Sequence, residues 1–475
     1  MPRGYRFPGC LLLVVGLLLP RGTADAPVWK HLSLADERFD ALRLRPVKIA
    51  PKVQSSLALL NCSPAPCKLP NIQVSEGGMP VNEHSLAINS KNPKQIFSSG
   101  NDYNCAPIQG LYTSNDGGTS WKRRCMPTLP NNTGQGDVVG DYDLNGVLYV
   151  TGLELDTRPN LLAVVIASKD NGSTWGAPTV AVPGTFQTDK PWLEIDKTAS
   201  SPFANRLYLS TTNFVASTDI SVSHSADGSK TWKTVTVDIP PTGFLDQFSD
   251  MTIGKDGTVY LTWMRCGECA GQGATLFVSK SIDGGDTWSK PEIIANVNLA
   301  PNGAYGLLPN TGERVFDIPV VAIDNSSGQH AGTLYVGMYN WTGTFMQFLV
   351  AHSTDGGTTW SKPVPVSPPS VNHDQFMPWI SLSETGVLAA TWLDRRNDPA
   401  NLKYQPFIAF STDGGVTFGK NQALTSTLSN PLDDGFDGNF MGDYRTNTWV
   451  GNTVYAVWMD TRTGNCQDEI GGMRR

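Results

Sequence analysis

The chain has 475 residues, with 36 Lys and Arg set against 43 Asp and Glu, for a formal net charge of -7. An acidic surface without a clustered basic stripe excludes a nucleic-acid partner, which needs grouped Lys and Arg. The 47 Gly and 33 Pro call for many turns, and a closed all-β ring can use this length as one domain rather than two or three.

Positive charge in Met1-Pro2-Arg3 to Arg6 precedes an apolar run from Cys10 to Leu19 that is too short to span a bilayer. Small residues come next at Thr23-Ala24-Asp25-Ala26, so residues 1–26 read as a secretory signal peptide. An uncleaved anchor is the alternative, but there is no second apolar span, so no membrane span is expected. Export to a secreted, periplasmic or extracellular location goes with this reading. Once the leader is gone, seven cysteines remain: Cys62, Cys67, Cys105, Cys125, Cys266, Cys269 and Cys466. In an exported chain local pairs are the default, giving Cys62 with Cys67, Cys105 with Cys125 and Cys266 with Cys269, and leaving Cys466 over. The CGEC stretch could be half a zinc site, but no second Cys/His pair stands at a suitable spacing, so no metal is expected. No cofactor is expected either.

Residues 27–70 form an N-terminal extension without helical periodicity, and Ile72 to Ser75 is a candidate strand ahead of the periodic region. From there to residue 475 the chain repeats. The octad Ser353-Thr354-Asp355-Gly356-Gly357-Thr358-Thr359-Trp360 has near copies beginning at Ser114, Ser168, Ser225, Ser281 and Ser411. Their aspartates are Asp116, Asp170, Asp227, Asp283, Asp355 and Asp413, spaced 54 to 58 residues apart except for a gap of 72 after Asp283. Each copy suits a tight hairpin, in which Asp accepts from turn amides, Gly supplies a left-handed backbone and the closing Trp or Phe packs behind. Periodicity of this kind marks units that cannot bury their apolar faces alone. The octad resembles the Asp-box (BNR repeat) of sialidases and related β-propellers, with Ser229 in place of Gly in the third copy and Phe418 in place of Trp in the sixth.

A second recurring half, an apolar strand, a turn and a very apolar strand, precedes every octad. It is visible at Val147 to Val150, Leu207 to Leu209, Val259 to Trp263, Leu334 to Val336, Val387 to Trp392 and Val454 to Trp458, with Ser85 to Phe97 supplying another. Seven first halves against six octads predict a single all-β propeller of four-stranded blades over 71–475, seven blades rather than six. The seventh unit, Tyr444 to Met459, lacks its outer strands, and Ile72 to Ser75 is the segment expected to close the ring.

The resemblance implies a functional face opposite the octad hairpins, which removes the octad aspartates from the catalytic candidates. Three second strands end there in similar fashion, at Arg265, at Arg395-Arg396 and at Arg462, and guanidinium groups converging on the channel could grip a carboxylate. Sialidases hold the substrate carboxylate with three arginines and use a Tyr nucleophile assisted by Glu, with an Asp as acid/base. On that pattern Asp374, Tyr444 and Glu154 are the catalytic candidates, and Arg265, Arg395, Arg396, Arg462 and Asp189 the substrate-binding ones; Tyr103, Glu268 and Tyr339 stand beside them. Structural ion pairs are the competing account of each Arg. A series of aspartates before the first strands (Asp137, Asp189, Asp246, Asp317, Asp374 and Asp443) reads mostly as caps or Arg partners. The F/Y-R-I-P motif is absent at the start of the repeats; Arg314-Val315-Phe316-Asp317-Ile318-Pro319 has related letters late in the chain. The expected function is an exported, monomeric sialidase-like glycoside hydrolase acting on terminal acidic sugars of glycans. The alternative is a non-catalytic extracellular propeller that binds glycan or protein.

Overall fold

The computed structural model describes residues 62–475 apart from 159, 185–186, 215–217, 268, 270–272, 303–305 and 437–439. The signal-peptide reading and residues 27–61 of the 27–70 extension lie outside the described residues. Seven antiparallel sheets make up the fold, and the inner strands of successive blades pack side by side until the seventh meets the first. The chain is a seven-bladed β-propeller.

Each blade arises from runs of alternating and continuous apolar residues separated by turn chemistry. Blade 1 comprises Val81–Ile88, Ile96–Asp102, Gly110–Ser114 and Lys122–Cys125. Blade 2 begins with two short pieces, Thr133–Gly134 and Val139–Tyr142, and continues through Leu148–Leu155, Leu161–Ser168 and Thr179–Val182. Blade 3 runs from Thr188–Ile195 to Lys233–Asp238, blade 4 from Leu245–Ile253 to Glu292–Asn298, and blade 5 from Val320–Ile323 to Val364–Pro365. Blade 6 runs from Gln375–Leu382 to Gln422–Ala423. The second strands carry the bulk of the core: Trp263, Trp392 and Trp458 are fully buried at matching places in blades 4, 6 and 7.

Blade 7 contains Asn447–Val450, Thr453–Asp460 and Gln467–Arg474, and its fourth strand comes from the other end of the chain. Ile72 and Gln73 pair with Ile470 and Glu469, while Cys67 and Lys68 pair with Arg474 and Met473. The expected closure therefore holds, with one correction. The C-terminus supplies its own third strand, and the N-terminal segment adds only the outermost one.

All six octads sit at the turn between third and fourth strands, and the Asp plays the same part in each. In blade 4 Asp283 accepts from Ser281 Oγ at 2.8 Å, from Thr287 N at 2.9 Å and from Thr287 Oγ1 at 2.6 Å. Gly285, at φ +93°, leaves room for the His224 ring of blade 3, which would stand 3.0 Å from an added Cβ. The hairpin thus locks onto the preceding blade. Among the described residues the disulfides are Cys62–Cys67, Cys105–Cys125 and Cys266–Cys269, and Cys466 is buried outside them, with its Sγ 3.1 Å from the Val81 carbonyl.

Candidate functional site

On the face opposite the octads, the inner strands begin with a shared irregularity. Their pairing with the second strand skips two residues between Asn82 and Ser85, Asp189 and Trp192, Gln247 and Asp250, and Phe376 and Trp379. At these skips Glu83, Lys190, Phe248 and Met377 adopt φ of +59°, +49°, +61° and +48°, and Asp137, in the break of the blade 2 strand, adopts +54°. Such a backbone costs roughly 1–2 kcal/mol for a non-glycine residue and is found where a bulge must re-aim a side chain. Two residues before pairing resumes in blades 5 and 7 stand Ile318 and Tyr444. Seven equivalent positions therefore encircle the channel mouth. Tyr444, Glu83, Asp137 and Lys190 occupy consecutive blades (7, 1, 2 and 3), and Phe248, Ile318 and Met377 occupy the other three.

The polar arc is tightly cross-linked. Asn101 donates to Glu83 at 2.7 Å and accepts from the Asp137 amide at 2.7 Å. Arg314 forks onto Asp443, with Nε 2.7 Å from one oxygen and Nη2 bonded to the other, and its Nη2 also lies 3.7 Å from Glu83. The Arg314 guanidinium packs on the rings of Phe316 and Phe440, whose centres are 4.4 and 4.5 Å away. The Lys190 ammonium donates to the Ser249 carbonyl at 3.0 Å. Beneath it, Trp192 meets Tyr444 edge-on at 5.5 Å and Trp379 at 4.9 Å.

Burial dominates the electrostatics. It pushes the Tyr444 phenol well above its ordinary range, an effect reinforced by the negative charges of Asp137, Glu83, Asp443 and Asp189. Burial also lowers the Lys190 ammonium to about 8, against the pull of Asp250, Asp137, Glu83 and Asp443. Glu83, Lys190 and Tyr444 are only 2 to 4% exposed, whereas Asp137 and Asp189 are half-buried, so solvent reaches the ring from blades 2 and 3. Below the Trp192–Trp379 layer the channel continues as a cavity of about 610 Å³, which runs past Asp141, Glu194 and Asp250 to Lys197, Lys255 and Glu384. A larger shallow groove of about 770 Å³ at the outer edge of blades 1 and 2, beside Arg124 and Trp175, holds none of the candidate site residues.

Of the residues singled out from sequence, Tyr444 and Asp189 are at the ring mouth. Asp189 accepts from Gln247 at 3.4 Å. Asp137 and Asp443 of the aspartate series are there too, Asp443 as the partner of Arg314, and the remaining candidates are distributed elsewhere. Arg395 is fully buried and pairs with Asp374 at 3.1 Å and with Glu313, while Asn401 also donates to Asp374 at 2.9 Å. Glu154 accepts from the Leu129 amide at 3.1 Å and from Asn132 at 2.9 Å. Arg265 pairs with Asp246 at 2.6 Å and with Asp238, at the outer end of blade 3. Arg396 pairs with Asp394 at 2.8 Å and donates to Ser367 at 2.8 Å; Arg462 pairs with Asp460 at 2.8 Å and donates to Thr425 at 3.2 Å. Arg265, Arg395, Arg396 and Arg462 share no partner among the described residues. Arg265, Arg396 and Arg462 each tie a blade to the outer end of the one before it. Nor is their register the same: Arg265 lies opposite Asp246 across the sheet, the place that Asp394 takes opposite Gln375 in blade 6. Tyr339 is fully buried and donates to the Val315 carbonyl, Tyr103 packs edge-on against Phe436 at 5.0 Å, and Glu268 lies outside the described residues.

Glu83, Lys190, Trp192 and Arg314 are the members of the site that sequence reasoning missed. Lys190 and Trp192 stand in the Thr188-Asp189-Lys190-Pro191-Trp192 stretch, which draws the eye only for its aspartate. Arg314 is the arginine of the displaced Arg-Val-Phe-Asp-Ile-Pro run. Its position late in the chain does not matter, because the ring brings it to Asp443 and Glu83.

No profile of a known protein family matches the chain, and no curated protein does. Solved structures do. An ulvan lyase, a polysaccharide lyase solved with a GlcA(1-4)Rha3S unit, is 10% identical over 82% of this chain and 93% of its own, with a TM-score of 0.50. A Hadza microbial sialidase is 14% identical over 80% of this chain and 73% of its own, with a TM-score of 0.45. An α-L-arabinofuranosidase from Fusarium graminearum solved with an iminosugar inhibitor is 14% identical over 71% and 92%, with a TM-score of 0.44. The likeness is one of fold. Among the described residues no helix is long and apolar enough to cross a membrane, and no group of three or more His, Cys, Asp or Glu is placed to hold a metal ion.

Proposed function

We propose that this protein is an exported carbohydrate-active enzyme, a glycoside hydrolase whose site is the ring mouth around Tyr444. The observation that carries the reading is the gathering of Tyr444, Lys190 and four carboxylates at one end of the channel, with Glu83, Asp137 and Lys190 on left-handed, re-aimed backbone. Perturbed titratable groups of complementary kind in a concave, partly apolar setting are the usual signature of a reaction site. Cleaving a glycosidic bond requires a proton donor for the leaving oxygen and a nucleophile or base on the other side of the sugar. Asp137 and Asp189, at the solvent side, suit the proton traffic. Tyr444, held neutral by its surroundings, suits donation to the substrate or, with Glu83 as base, attack on the anomeric carbon.

The likeness of the octads to the Asp-box supports the sialidase-like form of this reading, in which the sugar is terminal and acidic. In that form its carboxylate would meet Lys190 and the Nη1 side of Arg314, whose Nε and Nη2 hold Asp443, because Arg265, Arg395, Arg396 and Arg462 lie away from the ring. The leader and the three disulfides support export. The test is turnover of a panel of fluorogenic glycosides, sialosides included, by the mature protein. Release of product that Tyr444→Phe abolishes is the expected result. Glycan binding without release of product from any substrate would replace the hydrolase by a binding propeller.

A further inference from the structure

We infer that the Arg445 guanidinium holds a small inorganic monoanion, of the size of chloride, enclosed between blades 6 and 7. The inference is independent of the reading of the ring mouth as an enzyme site. Arg445 is fully buried, and among the described residues its Nε, Nη1 and Nη2 have no hydrogen-bond partner. A guanidinium carries five N–H donors and no acceptor, and a buried charge is ordinarily retained only beside an opposite one. The other arginines of the propeller follow that rule. Arg395, equally buried, meets Asp374 and Glu313, and the part-buried Arg265, Arg314 and Arg396 each have a carboxylate within hydrogen-bond reach.

Burial lowers Arg445 to about 9, so it remains a cation at neutral pH, and Tyr404 of blade 6 is the group that acts against this. Tyr404 is no counter-ion: burial keeps its phenol neutral, and the hydroxyl donates to the Met459 carbonyl at 3.0 Å. The surroundings are apolar, since Tyr404 shares its core cluster with Phe376, Leu393, Met441, Trp458 and Met459. Water there would satisfy donors without neutralising the charge, whereas an anion does both. Arg445 lines neither the channel cavity nor the outer groove, which favours an ion of atomic size over a sugar acid. Arg445 stands between Tyr444 and Thr446, whose carbonyl accepts from Val457 N at 3.1 Å, so the ion pins the backbone that carries the Tyr444 phenol.

The experiment follows the melting temperature of the mature protein as sodium chloride replaces sodium gluconate at constant ionic strength, alongside crystals of the same protein grown in sodium bromide. Gluconate is the control because it is too large for an enclosed site. The wild type is expected to melt about 2–3 °C higher once chloride is in roughly hundred-fold excess over its dissociation constant. Anomalous density for bromide is expected against the Arg445 guanidinium. Arg445→Met should lose both effects, and if that variant does not fold, the bromide density in the wild type decides alone. The inference is overturned by the lack of a chloride-specific rise in the wild type, by an equal rise in Arg445→Met, or by crystals without bromide at Arg445. An Arg445-dependent rise with glucuronate and none with chloride would assign the guanidinium to a sugar acid and overturn it as well.

Discussion

The Lys190 ammonium lies 4.1 Å from the centre of the Trp192 ring and 5.3 Å from the centre of the Tyr444 ring. A cation held over two aromatic faces gains attraction from both, worth about 2 kcal/mol when desolvated. The same burial disfavours its charged form, and the protein tolerates that cost at the channel mouth.

The cost should be visible as a pH dependence of stability. With the native ammonium lowered to about 8 from its ordinary 10.5, the unfolded chain binds a proton that the native state has shed throughout that window. Stability attributable to Lys190 therefore rises with pH from about 8 to 10.5, by about 3 kcal/mol at roughly 1.4 kcal/mol per pH unit. Below pH 8 the penalty is fully present. Chemical denaturation of wild type and Lys190→Met at pH 7, 8, 9 and 10 should show the wild type gaining on the variant across the series. A flat or falling difference would contradict this.

Arg395 joins Glu313 and Asp374 in a fully buried network that clamps the segment before blade 5 onto blade 6. Arg395→Ala leaves two buried carboxylates without their cation and should cost about 3–5 kcal/mol, measured as a shift in denaturant midpoint. The surviving folded protein should bind sugar as before. Unchanged stability together with a large rise in KM would instead place Arg395 in contact with substrate.

The octads should prove structural one at a time. Asp283→Ala removes the acceptor for Thr287 N, Thr287 Oγ1 and Ser281 Oγ at a surface hairpin. A loss of about 1–2 kcal/mol is expected with kcat/KM unaltered, because the turn lies on the face away from the ring mouth. Lost turnover at full stability would overturn the choice of face.

Closure of the ring is a further point of attack. Deleting residues 62–75 strips the outer strand from Gln467–Arg474 and exposes a sheet edge. The truncated protein should melt at a lower temperature and self-associate on size-exclusion chromatography; an unaltered monomer with an unaltered melting curve would mean that the N-terminal strand is dispensable.

The repeating parts of the fold were legible because their causes are local. Each octad satisfies its own hydrogen bonds within five residues, and the three disulfides join near neighbours or, for Cys105 and Cys125, two sides of one blade. Tyr444 and Asp189 could be picked out because they stand just before apolar inner strands. The remainder depends on geometry that no local pattern encodes. The left-handed skips at Glu83, Asp137 and Lys190 re-aim side chains without leaving a glycine to mark them. Arg314 finds Asp443 at a separation of 129 residues, and Arg395 finds Glu313 at 82. Arg265, Arg395 and Arg462 share a Trp-containing context, yet differ in register and in the partner each meets. Similar letters therefore did not imply a common pocket.

The measurement that tests the central claim most directly is the kinetics of Tyr444→Phe beside Asp283→Ala on whichever glycoside the wild type cleaves best. Loss of one hydroxyl at the ring mouth should lower kcat/KM by about 100-fold or more with the melting temperature unchanged, while the hairpin variant keeps its activity and loses stability. A Tyr444→Phe enzyme with wild-type turnover, or an inactive but fully stable Asp283→Ala, would place the chemistry somewhere other than the mouth of the ring.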